Sequence, residues 1–309
     1  MLDRSFIRQS AAAAGFDLCG VAPCRHLVRN EQFFRRWLGD GRHASLGYLE
    51  RNLDKRFDGR RLVEGAQTVV VCAVGYKNGL SDGYPDDFRA KIASYALTAD
   101  YHATIKGMLG DLFGRLRAAE PALAGRAFVD SAPLVEKQLA VEAGLGWIGR
   151  QSLLVTPRFG SFVLLGELVL DAACDRYDEP LAGVGCGSCR RCVEACPTGA
   201  VCNDRAIDAR RCISCHTIER TPAAEIALDG WIFGCDACQS RCPYNLRAPL
   251  HLHPAFDPLF DPLSFPPERW LAMEEAEFRT SFGRTPLMRS GLRRLQANAA
   301  QNLRRKGRE

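Results

Sequence analysis

Apolar positions along the chain follow two periods. "RSFIRQSAAAAGF" (4–16) and "DYHATIKGMLGDLFGRLRAA" (100–119) space their apolar residues for one face of a helix, and both predict amphipathic helices. "QTVVVCAVGY" (67–76) is an unbroken, β-branched run, the pattern of a strand covered on both faces. "RAFVD" predicts a short strand that ends at Asp130. The following "SAPLVEKQLAVEAG" predicts a helix capped by Ser131, with Pro133 near its first turn and Gly144 as its stop. In 151–171, two apolar runs flank "TPRFGS", which predicts a hairpin. Periodicity then fails: 172–255 is irregular and rich in cysteine. The proline-rich "HPAFDPLFDPLSFPPERW" (253–270) reads as a linker into a final helical segment.

The 309 residues have room for two or three domains. A hydrophobic share of 47% and a charged share of 25% are ordinary for a globular protein. No apolar run approaches the roughly 18 residues that span a bilayer, so no membrane association is expected. The N-terminus shows neither a basic segment leading into an apolar core nor a twin-Arg pair, so a cytoplasmic location is expected. Most of the fourteen cysteines fall within 186–242 at metal-ligand spacings, which suits a reducing compartment better than disulfides.

Net charge is +5, unevenly placed: residues 279–308 carry nine Arg or Lys and no acid. A basic tail on a mildly acidic body suits a polyanionic partner, and equally a solvated basic helix end.

"CGSCRRCVEACPTGA" (186–200) sets four cysteines at C-x2-C-x2-C-x3-C with Pro197 next. In two-cluster ferredoxins the first three cysteines of such a run bind one iron–sulfur cluster and the fourth binds the other. "CDACQSRCP" (235–243) matches the last three positions of the same run. The pattern therefore predicts two [4Fe–4S] clusters with crossed ligation. One takes Cys186, Cys189, Cys192 and Cys242. The other takes Cys196, Cys235, Cys238 and either Cys212 or Cys215. Zinc also uses C-x2-C pairs, but a final cysteine followed by proline, twice over, is not a zinc pattern. Cys202 has no assigned role.

The clusters imply electron transfer, and its destination lies in the first 170 residues. "GLGWIG" (144–149) has the letters of a dinucleotide loop but follows a helix and precedes a strand, the wrong context. "DYHATIKG" begins like a cobalt-ligating Asp-x-His-x-x-Gly loop, yet Ile105 stands where glycine is required. Any cobalt is therefore expected without a histidine ligand from the protein.

Taken together, "FVDSAPLVEKQLAVEAGLGWIGRQSLLV", "IDARRCISCHTIE", "IFGCDACQSRCPYN", "GYLERNLDKR" and "YALTADYH" closely resemble the epoxyqueuosine reductases. The resemblance covers roughly residues 10–300. It implies an α+β protein in three parts. The first is a nitroreductase-like, mixed α/β cobalamin-binding catalytic domain (1–171). A ferredoxin-like domain with two [4Fe–4S] clusters (172–255) follows, and then a short basic helical segment in contact with tRNA (256–309). The implied reaction removes the epoxide oxygen of epoxyqueuosine at the tRNA wobble position, with electrons passing through the clusters to cobalamin. The expected partners are the anticodon loop of queuosine-family tRNA and a low-potential electron donor, and a monomer is expected.

The resemblance marks Asp130 as the catalytic acid, whose pKa would have to be raised to make it a donor. It places Arg56, His102, Asp130, Gln151, Ser152 and Ser214 near the cofactor. It also selects Cys212 over Cys215 as ligand, since the family carries an aromatic residue at the latter position. Arg289, Arg293, Arg294 and Asn298 resemble its tRNA-facing segment. Without the resemblance, Asp130 reads as a helix cap and His102 as a helix-start histidine. Two other functions fit the same cysteines: a reductive dehalogenase, and a two-cluster electron carrier without catalysis.

Overall fold

A computed structural model describes residues 1–219 and 226–306. The N-terminal part runs α1 (Arg4–Ala13), β1 (Leu18–Pro23), α2 (Val28–Gly39), α3 (Leu53–Arg56), β2 (Thr68–Gly75), β3 (Lys91–Ile92), α4 (Tyr101–Ala119), β4 (Gly125–Phe128), α5 (Glu136–Glu142), β5 (Trp147–Ile148), β6 (Leu154–Val155) and β7 (Val163–Leu170). An antiparallel sheet in the order β1-β2-β7-β4 is its frame. Every residue of β2 is buried because both faces of the sheet are covered. Val70, Cys72 and Val74 enter a core with α1 and α4, while Val69, Val71 and Ala73 enter a second core with α5. That two-sided burial is why the run shows no alternation.

The remainder runs α6 (Arg191–Glu194), α7 (Ile213–Ile218), β8 (Trp231–Phe233), α8 (Pro243–Arg247), α9 (Pro267–Ala272), α10 (Glu275–Phe282) and α11 (Leu292–Lys306). β8 pairs in parallel with β3, tying the cysteine-rich segment to the first part. No helix among the described residues is long and apolar enough to cross a membrane. Arg308, in the basic run, lies outside the described residues.

Three expectations need correction. The helix after Asp130 starts at Glu136, five residues later than Ser131, and Ser131 does not cap it. The chain instead makes tight turns, with Ser131 N–H to the Val129 carbonyl and Leu134 N–H to the Ala132 carbonyl. The apolar runs around "TPRFGS" do not form a hairpin: β6 pairs with β5, and β7 with β2 and β4. Only the turn is kept, as an isolated Thr156–Gly160 bridge. Finally, 253–270 is no loose linker. Its Phe256, Phe265 and Trp270 are buried, the last two in a core with α10, α11 and β8.

Gly160 shows how sheet and cysteine loop are fitted together. Its φ is +57°, and a Cβ there would lie 2.0 Å from Asn245 Oδ1. Only glycine suits both the left-handed turn and that approach. Asn245, in the helix that follows Cys242, accepts from Ser161 N–H at 2.6 Å and donates to the Gln239 carbonyl at 2.8 Å.

Candidate active site and cluster ligands

Two chain segments meet at Asp130. Asp100 caps α4 by accepting from His102 N–H at 3.0 Å, and its carboxylate also lies 2.7 Å from His102 Nδ1. That second contact aims Nε2 the other way, to 3.6 Å from Asp130 Oδ2. Tyr101 stacks on His102, with ring centroids 4.2 Å apart, and donates its hydroxyl to Asp130 Oδ2 at 2.8 Å. Asp130 itself has a left-handed backbone, φ +51°, just past the end of β4. It is one of few non-glycine residues there. Its N–H donates to the Glu136 carboxylate at the head of α5.

These contacts set the protonation states. The Asp130 carboxyl is held below its ordinary range, first by the facing His102, against burial, and then by the Tyr101 hydroxyl. His102 is raised above its ordinary value, first by Asp130, against burial, and then by Asp100. Asp130 is half exposed to the cavity it lines, so solvent screens part of this coupling. The expectation of an Asp130 with a raised pKa is therefore not met: the pair's proton rests on His102. Glu136 is pushed up to about 7, by burial first and then by the charge of Asp130.

Asp130, Tyr101 and His102 open onto a cavity of about 600 Å3, with Arg56, Tyr48 and Arg289 in its wall. Arg56 is half-desolvated and always cationic. Its buried Nε has no hydrogen-bond partner among the described residues. A cavity of that size, with aromatic walls and an unanswered cationic donor, suits a large polar cofactor.

The cysteines converge as two quartets. Cys186, Cys189, Cys192 and Cys242 line one small cavity of about 40 Å3. Cys238 lies within electrostatic reach of Cys212 and Cys196, and Cys235 of Cys238 and Cys212. Cys238 also feels Cys192, so the quartets adjoin. Among the described residues no three His, Cys, Asp or Glu side chains close on a site for a single metal ion. Gln151 Nε2, at the first quartet, is a buried donor with no partner among the described residues, as is Trp147 Nε1, whose ring packs on Tyr244 of the quartet's cavity. The N–H groups of Ser214 and Cys215 point at the Cys212 sulfur. Ala200 N–H donates to Cys196 Sγ at 3.2 Å. Such donors answer the charge of cluster thiolates and sulfides. Cys215 acts electrostatically on Tyr48, on the cavity side.

The structure therefore brings Arg56, His102 and Asp130 together, but not the other three residues expected beside them. Gln151 lines the first cysteine quartet, Ser152 offers its carbonyl to Lys137 Nζ at 2.7 Å, and Ser214 lies against Cys212. Of the residues expected to face tRNA, Arg289 reaches the cavity and pairs with Glu219. Arg293 is exposed on α11, and Arg294 is half-buried. Asn298 is a correction. It is 1% exposed and donates to the Ile232 and Thr217 carbonyls at 2.8 and 3.1 Å, so its amide locks α11 to the core. Sequence reading missed Tyr101, Glu136 and Glu167. Only Glu167 carried a signal, as the lone acid in the apolar run "VLLGELVL".

Comparison with known proteins adds a family. A profile described as "Epoxyqueuosine reductase QueG, DUF1730" matches residues 56–131, and a "4Fe-4S double cluster binding domain" matches 185–245. An epoxyqueuosine reductase of Cyclobacterium marinum is 39% identical over 94% of this chain and 94% of its own length. One of Xanthomonas campestris is 37% identical over 96% of this chain and 85% of its own. A crystal structure of an epoxyqueuosine reductase with an epoxyqueuosine-modified tRNA-Tyr stem loop superposes with a TM-score of 0.87. It is 26% identical and covers 97% of this chain and 80% of that one.

Proposed function

The chain belongs to the epoxyqueuosine reductase family, and on that premise we propose how its cavity reduces epoxyqueuosine in tRNA to queuosine. The reaction breaks both C–O bonds of the epoxide at the wobble nucleotide. Two electrons and two protons leave a carbon–carbon double bond and water. In this reading the N-terminal part is a nitroreductase-like cobalamin-binding domain. The cysteine-rich part is a ferredoxin-like module, and the basic C-terminal helices face tRNA.

One observation supports the reading: the His102–Asp130 pair and residues that adjoin Cys212 and Cys235 line the same cavity. Phe233, in the cavity wall, lies two residues before Cys235, and Ile218 and Glu219 end the helix that Cys212 begins. Cys196, Cys212, Cys235 and Cys238 would hold the cluster nearer the cavity. Cys186, Cys189, Cys192 and Cys242 would hold the outer one, which accepts electrons from a low-potential donor. Cobalamin, held in the cavity with Arg56 Nε answering one of its acceptors, would supply a low-valent cobalt able to work on the substrate carbon.

The residues handle the protons. Protonated His102, oriented by Asp100, passes a proton through Asp130 to the departing oxygen, and the partly exposed pair takes the second proton from solvent. Tyr101 holds the Asp130 carboxylate in place for that transfer. Arg289 at the cavity rim and Arg293 on α11 meet phosphate oxygens, as a basic surface facing a polyanion would.

The test is nucleoside mass spectrometry of tRNA from a strain lacking this gene and any redundant reductase. Accumulated epoxyqueuosine with lost queuosine is expected. Unchanged queuosine would defeat the reading.

A further inference from the structure

Below Asp130 lies an arrangement the proposed chemistry does not use. Glu167 sits in β7, opposite Phe128 of β4 and Val71 of β2, in the apolar core beneath α5. It is 0% exposed. Among the described residues no N–H or O–H group donates to either of its carboxyl oxygens. The group it meets is the Glu136 carboxyl. Two carboxyl groups form a hydrogen bond only when a proton lies between them, and an ionised acid without donors is too costly at such a depth. Glu167 is therefore the protonated donor and Glu136 the acceptor. Glu136 also accepts the N–H of Asp130 at its Oε1, and Asp130 is held in a left-handed conformation.

We infer that Glu136 is a positioning residue that holds Asp130 by its backbone N–H, and that Glu167 fixes Glu136 from the floor of the sheet through a shared proton. The inference rests on the reading of Asp130 as the group that delivers the proton. Its chain of contacts runs from the sheet core to the cavity: Glu167 to Glu136, Glu136 to the Asp130 N–H, and the Asp130 carboxylate to Tyr101 and His102. An ionised Glu136 makes the stronger, charge-assisted bond to that N–H. Raising the pH through the Glu136 pKa thus tightens the hold on Asp130. The ionisable groups around the pair are Asp130, Lys137 and Tyr101 beside Glu136, and Cys72 behind Glu167. Burial and the charge of Asp130 bring the Glu136 pKa to about 7, where this hold changes with physiological pH.

The experiment uses full-length protein with clusters and cobalamin loaded, and an epoxyqueuosine stem-loop RNA, in single turnover across pH 5.5–9. Glu136→Ala should slow turnover about a hundredfold, the cost of displacing a reacting group by about 1 Å, with iron content and RNA affinity unchanged. Glu136→Gln keeps a neutral acceptor, so it should recover part of the rate and lose the acid-side inflection. Glu167→Leu should slow turnover about tenfold, the loss of one hydrogen bond. Glu167→Gln, which still donates, should restore most of that loss. Full activity of Glu136→Ala with an unchanged pH profile would overturn the inference. So would a Glu167→Gln variant as impaired as Glu167→Leu. Asp130→Asn in the same assay separates the two readings: if it keeps full activity, the proton-delivery role itself has failed.

Discussion

Asp130 and His102, brought together from β4 and α4, face each other with Oδ2 3.6 Å from Nε2, and each holds the other's charge in place. The carboxylate is shifted toward its ionised form and the imidazole toward its protonated form, so between the two the proton is held by His102 and Asp130 is no free acid.

That relationship has a defined pH sign. His102 has its pKa raised, so its proton is present below the raised value and is lost as pH rises through it. Turnover should fall on the alkaline side with that inflection. The same contact stabilises the fold fully below the unfolded histidine value, and this contribution is lost as pH rises through the folded one. In Asp130→Asn the largest cause of the shift is gone. NMR titration of His102 should then return toward its ordinary value of about 6.5, and an unmoved titration would contradict the pairing.

The cluster ligands give a second prediction. Cys212→Ser should lose half of the protein's iron, whereas Cys215→Ser should keep all of it. Iron and sulfide analysis after anaerobic reconstitution decides between them, and the reverse result would move the ligand to Cys215.

These two sites differ in how far sequence alone revealed them. The grouping of the cysteines was legible because short loops carry most of them, and spacing along the chain becomes spacing in space. Asp130 was legible as lying at a strand's exit, although β4 ends at Phe128, two residues before it. Its environment was not, since Tyr101, His102 and Glu136 reach it from two other helices. The expected pKa failed for the same reason: burial was anticipated, but a facing histidine outweighs it. Ser131 and the "TPRFGS" turn misled because local turn chemistry is silent about which strand a segment joins.

α11 separates a structural amide from a surface cation. Asn298→Ala leaves the Thr217 and Ile232 carbonyls without their donor and should cost about 1–3 kcal/mol of stability. Thermal unfolding should show that loss, while the folded fraction binds RNA normally. Arg293→Ala should leave stability unchanged and reduce the slope of log affinity against log salt by about 1.

Gly160 tests the joint between sheet and cysteine loop. Gly160→Ala forces a methyl into Asn245 at a left-handed backbone, and should cost about 1–3 kcal/mol or more. Because Asn245 follows Cys242 closely, iron should be lost from the first quartet before global unfolding. Loss of iron and fold at the same denaturant concentration would show that the two are not linked through this residue.

The most direct measurement is single turnover of an epoxyqueuosine-modified tRNA stem loop by the fully loaded protein under reducing, anaerobic conditions, read by nucleoside mass spectrometry. The wild-type protein should convert epoxyqueuosine to queuosine. Asp130→Asn should bind the same RNA and iron yet slow conversion by about a hundredfold or more, the scale of a lost general acid. Wild-type protein that leaves the epoxide intact, or an Asp130→Asn variant that converts it at the wild-type rate, would contradict the assignment of this cavity.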